Sequence, residues 1–297
     1  MRQFISLKFI LLTTLLSLSL ATDNDTINLQ PVATTMSLMN FEAKDVAVAP
    51  DGTMMAIGLD GKPYKYNGRH GSFDLVAGDI ELPKLYRIVL DDDATPYVVS
   101  ECGGQAFYLD CMNNWVALPG CVKDLGAGKH GEIWSIGCDE RVGGFGVWRL
   151  FCDSQCKFGS GTKYCTRQRP LGYPSKTKEA SRHCYWYRVE GGGLRIDVDT
   201  RGNPLVVADN NMVYHYDGVN WKSIPGFKAT DVAVSTEGVI FAAGLDKKNT
   251  GRLSNTELGT WQILSAPSQH VAVGPFSHFF TICPAGKLHC SANRDLY

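Results

Sequence analysis

A six-residue frame that recurs six times constrains this chain more than any other feature. The clearest copy is Asp45-Val46-Ala47-Val48-Ala49-Pro50, closed by Asp51-Gly52. It returns at Asp231-Val232-Ala233-Val234-Ser235-Thr236, closed by Glu237-Gly238. Looser copies begin at Arg87, Asp124, Arg195 and His270, so successive starts lie 42, 37, 71, 36 and 39 residues apart. The 71 is two periods, or one period plus an insertion. Short β-prone runs ended by a Gly turn are strand signals. A small antiparallel unit repeated about every 40 residues cannot bury both its faces alone, and stacking copies around an axis does so. Each copy therefore reads as one propeller blade.

A second register keeps step with the first. Ahead of the frames stand Phe73/Val76, Trp115/Leu118, Trp186/Val189, Trp221/Ile224 and Trp261/Leu264, each a large apolar residue with a partner three positions on. Runs such as Met54–Ile57 and Tyr64–Tyr66, split by Asp60-Gly61, bring each unit to four antiparallel strands, because Gly accepts the positive φ of a tight hairpin. The frame from His270 leaves room for only three strands before Tyr297. Met36 and Met39 occupy the Trp and i+3 positions ahead of Asp45, so the N-terminal segment is expected to add the missing strand. The expectation is an all-β, six-bladed propeller whose last blade is closed by the N-terminal strand.

Arg2 and Lys8 precede a Leu-rich run ending at Ser19-Leu20-Ala21. That run is too short to span a bilayer, and it reads as a cleaved signal peptide over residues 1–21. A mobile segment over 22–34 and one propeller over 35–297 follow in this reading. All ten cysteines lie beyond the cleavage point, which in a secreted chain points to disulfides. Distance from the hairpin turns pairs Cys121 with Cys138, Cys102 with Cys111 and Cys283 with Cys290, leaving Cys152, Cys156, Cys165 and Cys184 to pair among themselves in any of three ways. Asn24-Asp25-Thr26 is a glycosylation sequon. Lys plus Arg number 29 against 30 for Asp plus Glu, so no charge excess calls for nucleic acid or an acidic membrane.

The segment from Trp221 to Gly238, Trp-x-x-Ile-Pro-Gly-x-x-Ala-x-Asp-Val-Ala-Val-x-x-x-Gly, resembles the tectonin repeat of the β-propeller lectins. Trp115-Val116-Ala117-Leu118-Pro119-Gly120, with Asp124 and Gly131–Gly137 behind it, is a second close copy. The resemblance extends over nearly all the mature chain, strongly in these repeats and loosely in four others. It implies a six-bladed propeller. It also implies binding of sugars such as N-acetylglucosamine or of bacterial lipopolysaccharide, as secreted members of that family do.

Candidate ligand-binding residues are Trp115, Trp186, Trp221 and Trp261, whose rings could stack on sugars or fill the wedge between blades with the indole N–H bonded to a neighbouring loop. Asp45, Asp124 and Asp231 are expected to bond turn backbone, and Asp91-Asp92-Asp93 reads as a solvated turn. The most individual segment is a basic, cysteine-rich insertion from about 152 to 184, with seven Lys or Arg against two acids. Its Arg167, Arg169, Lys176 and Lys178 could meet anionic groups on glycans. Zinc at Cys152, Cys156, Cys165 and His183 matches no common spacing. No Gly-x-Ser-x-Gly elbow or phosphate-binding loop occurs. The expectation is thus a secreted glycan-binding protein without catalysis, metal or cofactor. A protein-interaction propeller and a glycan hydrolase are its alternatives.

Overall fold

The computed structural model describes residues 32–110, 112–128, 131–152, 184–253 and 260–291. The expected signal peptide, Asn24, Cys111, Cys156, Cys165 and the insertion's Arg167, Arg169, Lys176 and Lys178 lie outside the described residues. The chain is an all-β propeller. Strand β1 (Val32–Ala33) is followed by the long β2 (Met36–Val48), then β3 (Met54–Gly58), β4 (Pro63–Asn67) and β5 (Ser72–Leu75). One four-stranded sheet is β6 (Leu85–Leu90), β7 (Pro96–Ser100), β8 (Ala106–Leu109) and β9 (Trp115–Ala117). The next is β10 (Val122–Ala127), β11 (Ile133–Arg141), β12 (Gly144–Cys152) and β13 (Cys184–Gly193). Then come β14 (Arg195–Val198), β15 (Pro204–Val207), β16 (Met212–Tyr216), β17 (Trp221–Val234), β18 (Ile240–Gly244), β19 (Thr250–Leu253) and β20 (Gln262–Ser265). The described chain ends with β21 (His270–Val273), β22 (Phe279–Ile282) and β23 (Lys287–Ser291).

Two strands are longer than the sequence pattern suggests, for one reason. In β17, Trp221–Ile224 pairs with β16 at the outside of one blade, while Ala229–Val234 pairs with β18 at the inside of the next. The Trp register and the frame register thus lie on one continuous strand that passes between blades. β2 behaves alike: Met36, Ser37 and Leu38 face Ser291, Cys290 and His289 of β23, while Ala43–Val48 pairs with β3. The N-terminal strand therefore does complete the sheet of the C-terminal strands. Met36 and Met39 pack against buried clusters there, in the position that Trp holds elsewhere.

Each frame begins an inner strand and ends in the same turn. The frame's fifth residue bonds the residue four further on in five copies: Ala49 N–H to Thr53 O, Asp91 to Thr95, Gly128 to Glu132, Asp199 to Asn203 and Ser235 to Val239. Gly274 N–H reaches His278 O in the sixth. The turn needs a left-handed residue at the eighth position. Gly52, Gly131, Gly202 and Gly238 supply it at φ 71° to 85°, and Ala94 and Ser277 adopt it at 59° and 55°. Glycine carries no penalty there, and the two substitutes do. Carboxylates and hydroxyls hold these turns from within. Asp91 Oδ1 accepts from Asp93 and Thr95 N–H, and Asp199 Oδ1 from Arg201 and Asn203 N–H. The core is built between blades rather than within them: Ile57 and Met55 of one pack with Ile88, Phe107 and Trp115 of the next.

Cys121 and Cys138 are bonded across β10 and β11, at 5.7 Å between Cα atoms. Two expected disulfides are not present. Cys283 lies opposite Lys287, and Cys290 opposite Phe280, so the two thiols are three positions out of register and stay free. Cys102 is also free and exposed. Its turn joins β7 to β8, whereas Asp110 and Asn114 close the turn from β8 to β9 at the other end of the same strand. Successive hairpin turns fall at opposite ends of a sheet; Cys111 itself lies outside the described residues. Cys184 is disulfide-bonded, and the register sets it opposite Cys152. No helix among the described residues is long and apolar enough to cross a membrane.

Candidate functional site

The first residue of each frame points to the axis, and the six together are Asp45, Arg87, Asp124, Arg195, Asp231 and His270. Acid and base alternate around the channel. Arg87 is the hub. Its Nη1 lies 3.0 Å from Asp45 Oδ1 and 3.7 Å from Asp231 Oδ2, and its Nε lies 2.5 Å from Asp124 Oδ1. Arg195 approaches Asp124 at 3.9 Å, and His270 Nδ1 approaches Asp231 at 3.3 Å. Each acid also binds backbone of the following frame-bearing strand: the second oxygens of Asp45 and Asp124 accept Ile88 N–H at 2.7 Å and Ile196 N–H at 2.9 Å, while at Asp231 the same Oδ2 that meets Arg87 and His270 accepts Val271 N–H at 3.2 Å. These aspartates were expected to bond turn backbone. They bond the neighbouring strand instead, and so tie blade to blade.

Burial and pairing compete over these charges. Burial raises the Asp45 carboxyl, and Arg87 and His270 offset this only in part. At Asp231 burial acts in the same direction, but Arg87 and the His270 hydrogen bond outweigh it and hold the carboxyl well below its usual range. Burial disfavours the Arg87 cation, yet Asp124, Asp45 and Asp231 together keep it firmly protonated.

Beyond this ring the channel opens into a solvent-connected cavity. Aliphatic residues such as Val48, Val89, Val198 and Val234 line its wall, with Asp91, Asp92, Asp197 and Asp199 among them. Asp197 Oδ2 accepts Val234 N–H at 2.7 Å, one layer out from the charge ring. Burial in the channel pushes its carboxyl up to about 7, against the N–H groups of Val234 and Val198. Burial likewise pushes Asp91 up to about 6. A carboxyl titrating near neutrality inside a cavity can give or take a proton there. Of the lining acids, Asp199 is paired outward, its Oδ2 2.9 Å from His215 Nε2.

Because the folded Asp197 binds its proton more tightly than the unfolded chain does, its contribution to stability is full below about pH 4. It is lost as the pH rises through about 7. Three units would amount to about 4 kcal/mol, and the residual exposure of Asp197 to the cavity lowers the expectation to about 2 kcal/mol. The parent's denaturation midpoint is expected to fall between about pH 4 and 7, and Asp197→Asn, which keeps the acceptor for Val234, should flatten that fall. Identical slopes in the two proteins would disprove this role.

The Trp residues are mostly structural. Trp115 and Trp261 are 5% and 1% exposed, which leaves neither ring a face for sugar. This corrects their candidacy as ligand-binding residues. Trp186 and Trp221 are half-buried, each packed on one side against a hydrophobic cluster. Trp186, Trp221 and Trp261 each donate the indole N–H to a main-chain carbonyl, those of Pro119, Glu190 and Pro225, at 2.7, 2.6 and 2.9 Å. Two groups escape the sequence reading. The departures of Arg87, Arg195 and His270 from the Asp consensus look like decay, and their alternation with Asp is the signal that would have revealed the ring. Asp197 carries no signal, since the frame alone does not show which positions enclose the cavity.

Fold and site define a β-propeller with an ionic ring at its axis and a carboxyl-lined channel mouth. No family model and no curated relative matches the chain. Solved propellers do. Virginiamycin B lyase from Staphylococcus aureus superposes with TM-score 0.53 at 10% identity, over 87% of this chain and 99% of that one. A gluconolactonase from Xanthomonas campestris gives 0.59 at 10%, over 87% and 89%. A chain of the mitotic checkpoint complex gives 0.57 at 12%, over 96% and 99%. At such identities the likeness shows the fold alone. It nevertheless overturns the exclusion of catalysis drawn from missing motifs. Propellers of this shape include a lyase and a gluconolactonase, and the elbows and loops sought in the sequence belong to other folds.

Proposed function

We propose that the chain is a secreted, six-bladed, tectonin-type propeller that recognises surface glycans from its rim. The observation that carries this reading is the pinning of Trp186 and Trp221. Each indole is fixed through its N–H to a carbonyl of the preceding outer segment, and each stays only half-buried. A ring held at its polar edge, with part of its surface open, suits the C–H faces of a pyranose. Trp221 also opens the segment that most resembles the tectonin repeat. Several such sites around one propeller would gain by avidity on a repetitive surface. Binding of the oxidised, folded protein to an array of neutral and anionic glycans tests this. Binding that free sugar competes away is expected, and a folded protein that binds no glycan would end the reading.

A second reading is favoured by one observation. Asp197 titrates near neutrality in the channel cavity, and propellers described as a lyase and a gluconolactonase share the fold. Acid–base chemistry on a small polar molecule in the channel would then depend on Asp197. The Asp197→Asn protein made for the stability profile would lose turnover in a lactone-hydrolysis screen.

A further inference from the structure

β13 is the outer strand of its sheet, and its two faces differ. Trp186, Arg188 and Glu190 share one face. Tyr185 and Tyr187 share the other, two residues apart and thus roughly 7 Å along the strand. Tyr185 lies opposite Phe151 of β12, and Tyr187 opposite Arg149. Residues directly opposite in an antiparallel pair project to the same side, so these four form a two-by-two block. Phe151 stacks on Tyr185 with ring centroids 6.0 Å apart and meets Tyr187 edge-on at 6.0 Å. The block is open to solvent: Tyr185 is 56% exposed, Tyr187 60% and Phe151 37%.

One further row gives the block polar partners. Arg149 pairs with Trp134 of β11, its guanidinium 5.5 Å from that ring and 5.1 Å from Phe151. It is held in place by Glu132 at 2.5 Å. The result is a firm shelf of aromatic faces, with a cation and an anion fixed side by side at its inner margin. Three of the four large exposed aromatic side chains among the described residues meet here, the fourth being Phe276. Exposed rings lose buried area unless something covers them.

We propose that this shelf is a glycan-binding site in which Tyr185 and Tyr187 stack on successive pyranose rings and Arg149 with Glu132 bonds their hydroxyls. The aromatic faces are electron-rich and match the weakly positive C–H faces of sugars. A hydroxyl both donates and accepts, and so does an Arg–Glu pair. A membrane surface or polyanion would call for charge of one sign. Tyrosine stacks while its own hydroxyl stays wet, which suits a polar ligand better than an aliphatic partner surface. The proposal rests on the glycan reading for the class of ligand, and on the block's geometry for the place.

The test is binding of the oxidised full chain to immobilised neutral oligosaccharides. The parent would be compared with Tyr185→Ala/Tyr187→Ala, Tyr185→Phe/Tyr187→Phe and Trp186→Phe/Trp221→Phe. Both tyrosines are exposed, so melting temperatures should match the parent's. Loss of at least tenfold in apparent affinity in the alanine double variant, with the phenylalanine variant within about threefold of the parent, is expected. Undiminished binding by the alanine variant would overturn the shelf while leaving glycan recognition intact. Loss confined to the Trp variant would move the site to the Trp186 and Trp221 rings. A folded parent that binds no oligosaccharide would overturn both the shelf and the glycan reading.

Discussion

Replacing Arg87 with methionine is expected to destabilise the protein by about 3–5 kcal/mol, the range for removing one partner from a buried ion pair. The side chain is 7% exposed and stands between Asp45, Asp124 and Asp231. Methionine fills much of its volume, so the loss is chiefly electrostatic: three enclosed carboxylates would be left with only Arg195 and His270 near them. Those same carboxylates hold Ile88, Ile196 and Val271 N–H, so their repulsion loosens blade contacts as well as the channel floor. The pH dependence is a second signature. Burial already raises Asp45, and without the guanidinium protonation becomes easier still. The deficit against the parent should therefore narrow as the pH falls and the stranded acids take up protons. Urea melts at several pH values would show it. A deficit under about 1 kcal/mol, or one independent of pH, would mean that the ring is not the lock described.

Trp261→Ala should cost about as much, 3–5 kcal/mol, by deleting a large core side chain. Trp261 is 1% exposed, stacks on Phe227 at 5.2 Å and bonds Pro225 O at 2.9 Å. Its loss leaves a void between Leu205 and Val213 on one side and Ile240 and Leu253 on the other, and it orphans a carbonyl. Residual folded protein at low temperature should keep whatever glycan affinity the parent has. Loss of glycan affinity with an unchanged melting temperature would reverse the assignment of this ring to packing.

Much of the fold was legible because a repeat has to satisfy the same local chemistry each time. The Gly at the eighth frame position announces a left-handed turn, and where Ala94 and Ser277 replace it the backbone still adopts that turn. The short last repeat and the methionines at 36 and 39 pointed to closure by the N-terminal strand, since unpaired backbone at a sheet edge needs a partner. The Cys121–Cys138 pair was readable from hairpin symmetry. Cys283 and Cys290 were not, because that hairpin's register is offset, and sequence distance from a turn does not fix which strand positions face each other.

The candidate sites were far less legible. A tryptophan in the repeat register reads the same whether its ring is sealed, like Trp261, or half open, like Trp221. Exposure depends on how neighbouring blades splay at the rim. The alternation of Asp and Arg at the frame starts was present in the chain, but its meaning arises only when residues 36 to 71 positions apart meet on one axis. The sequence by itself determined the strands, the turns, the repeat and the closing strand, because hydrogen bonding and side-chain period are local constraints. The tertiary structure alone decided which charges share the channel, which carboxyl is driven toward neutrality, and which rings face water. Burial and Coulomb interaction depend on distances through space, and the chain specifies those only after it has folded.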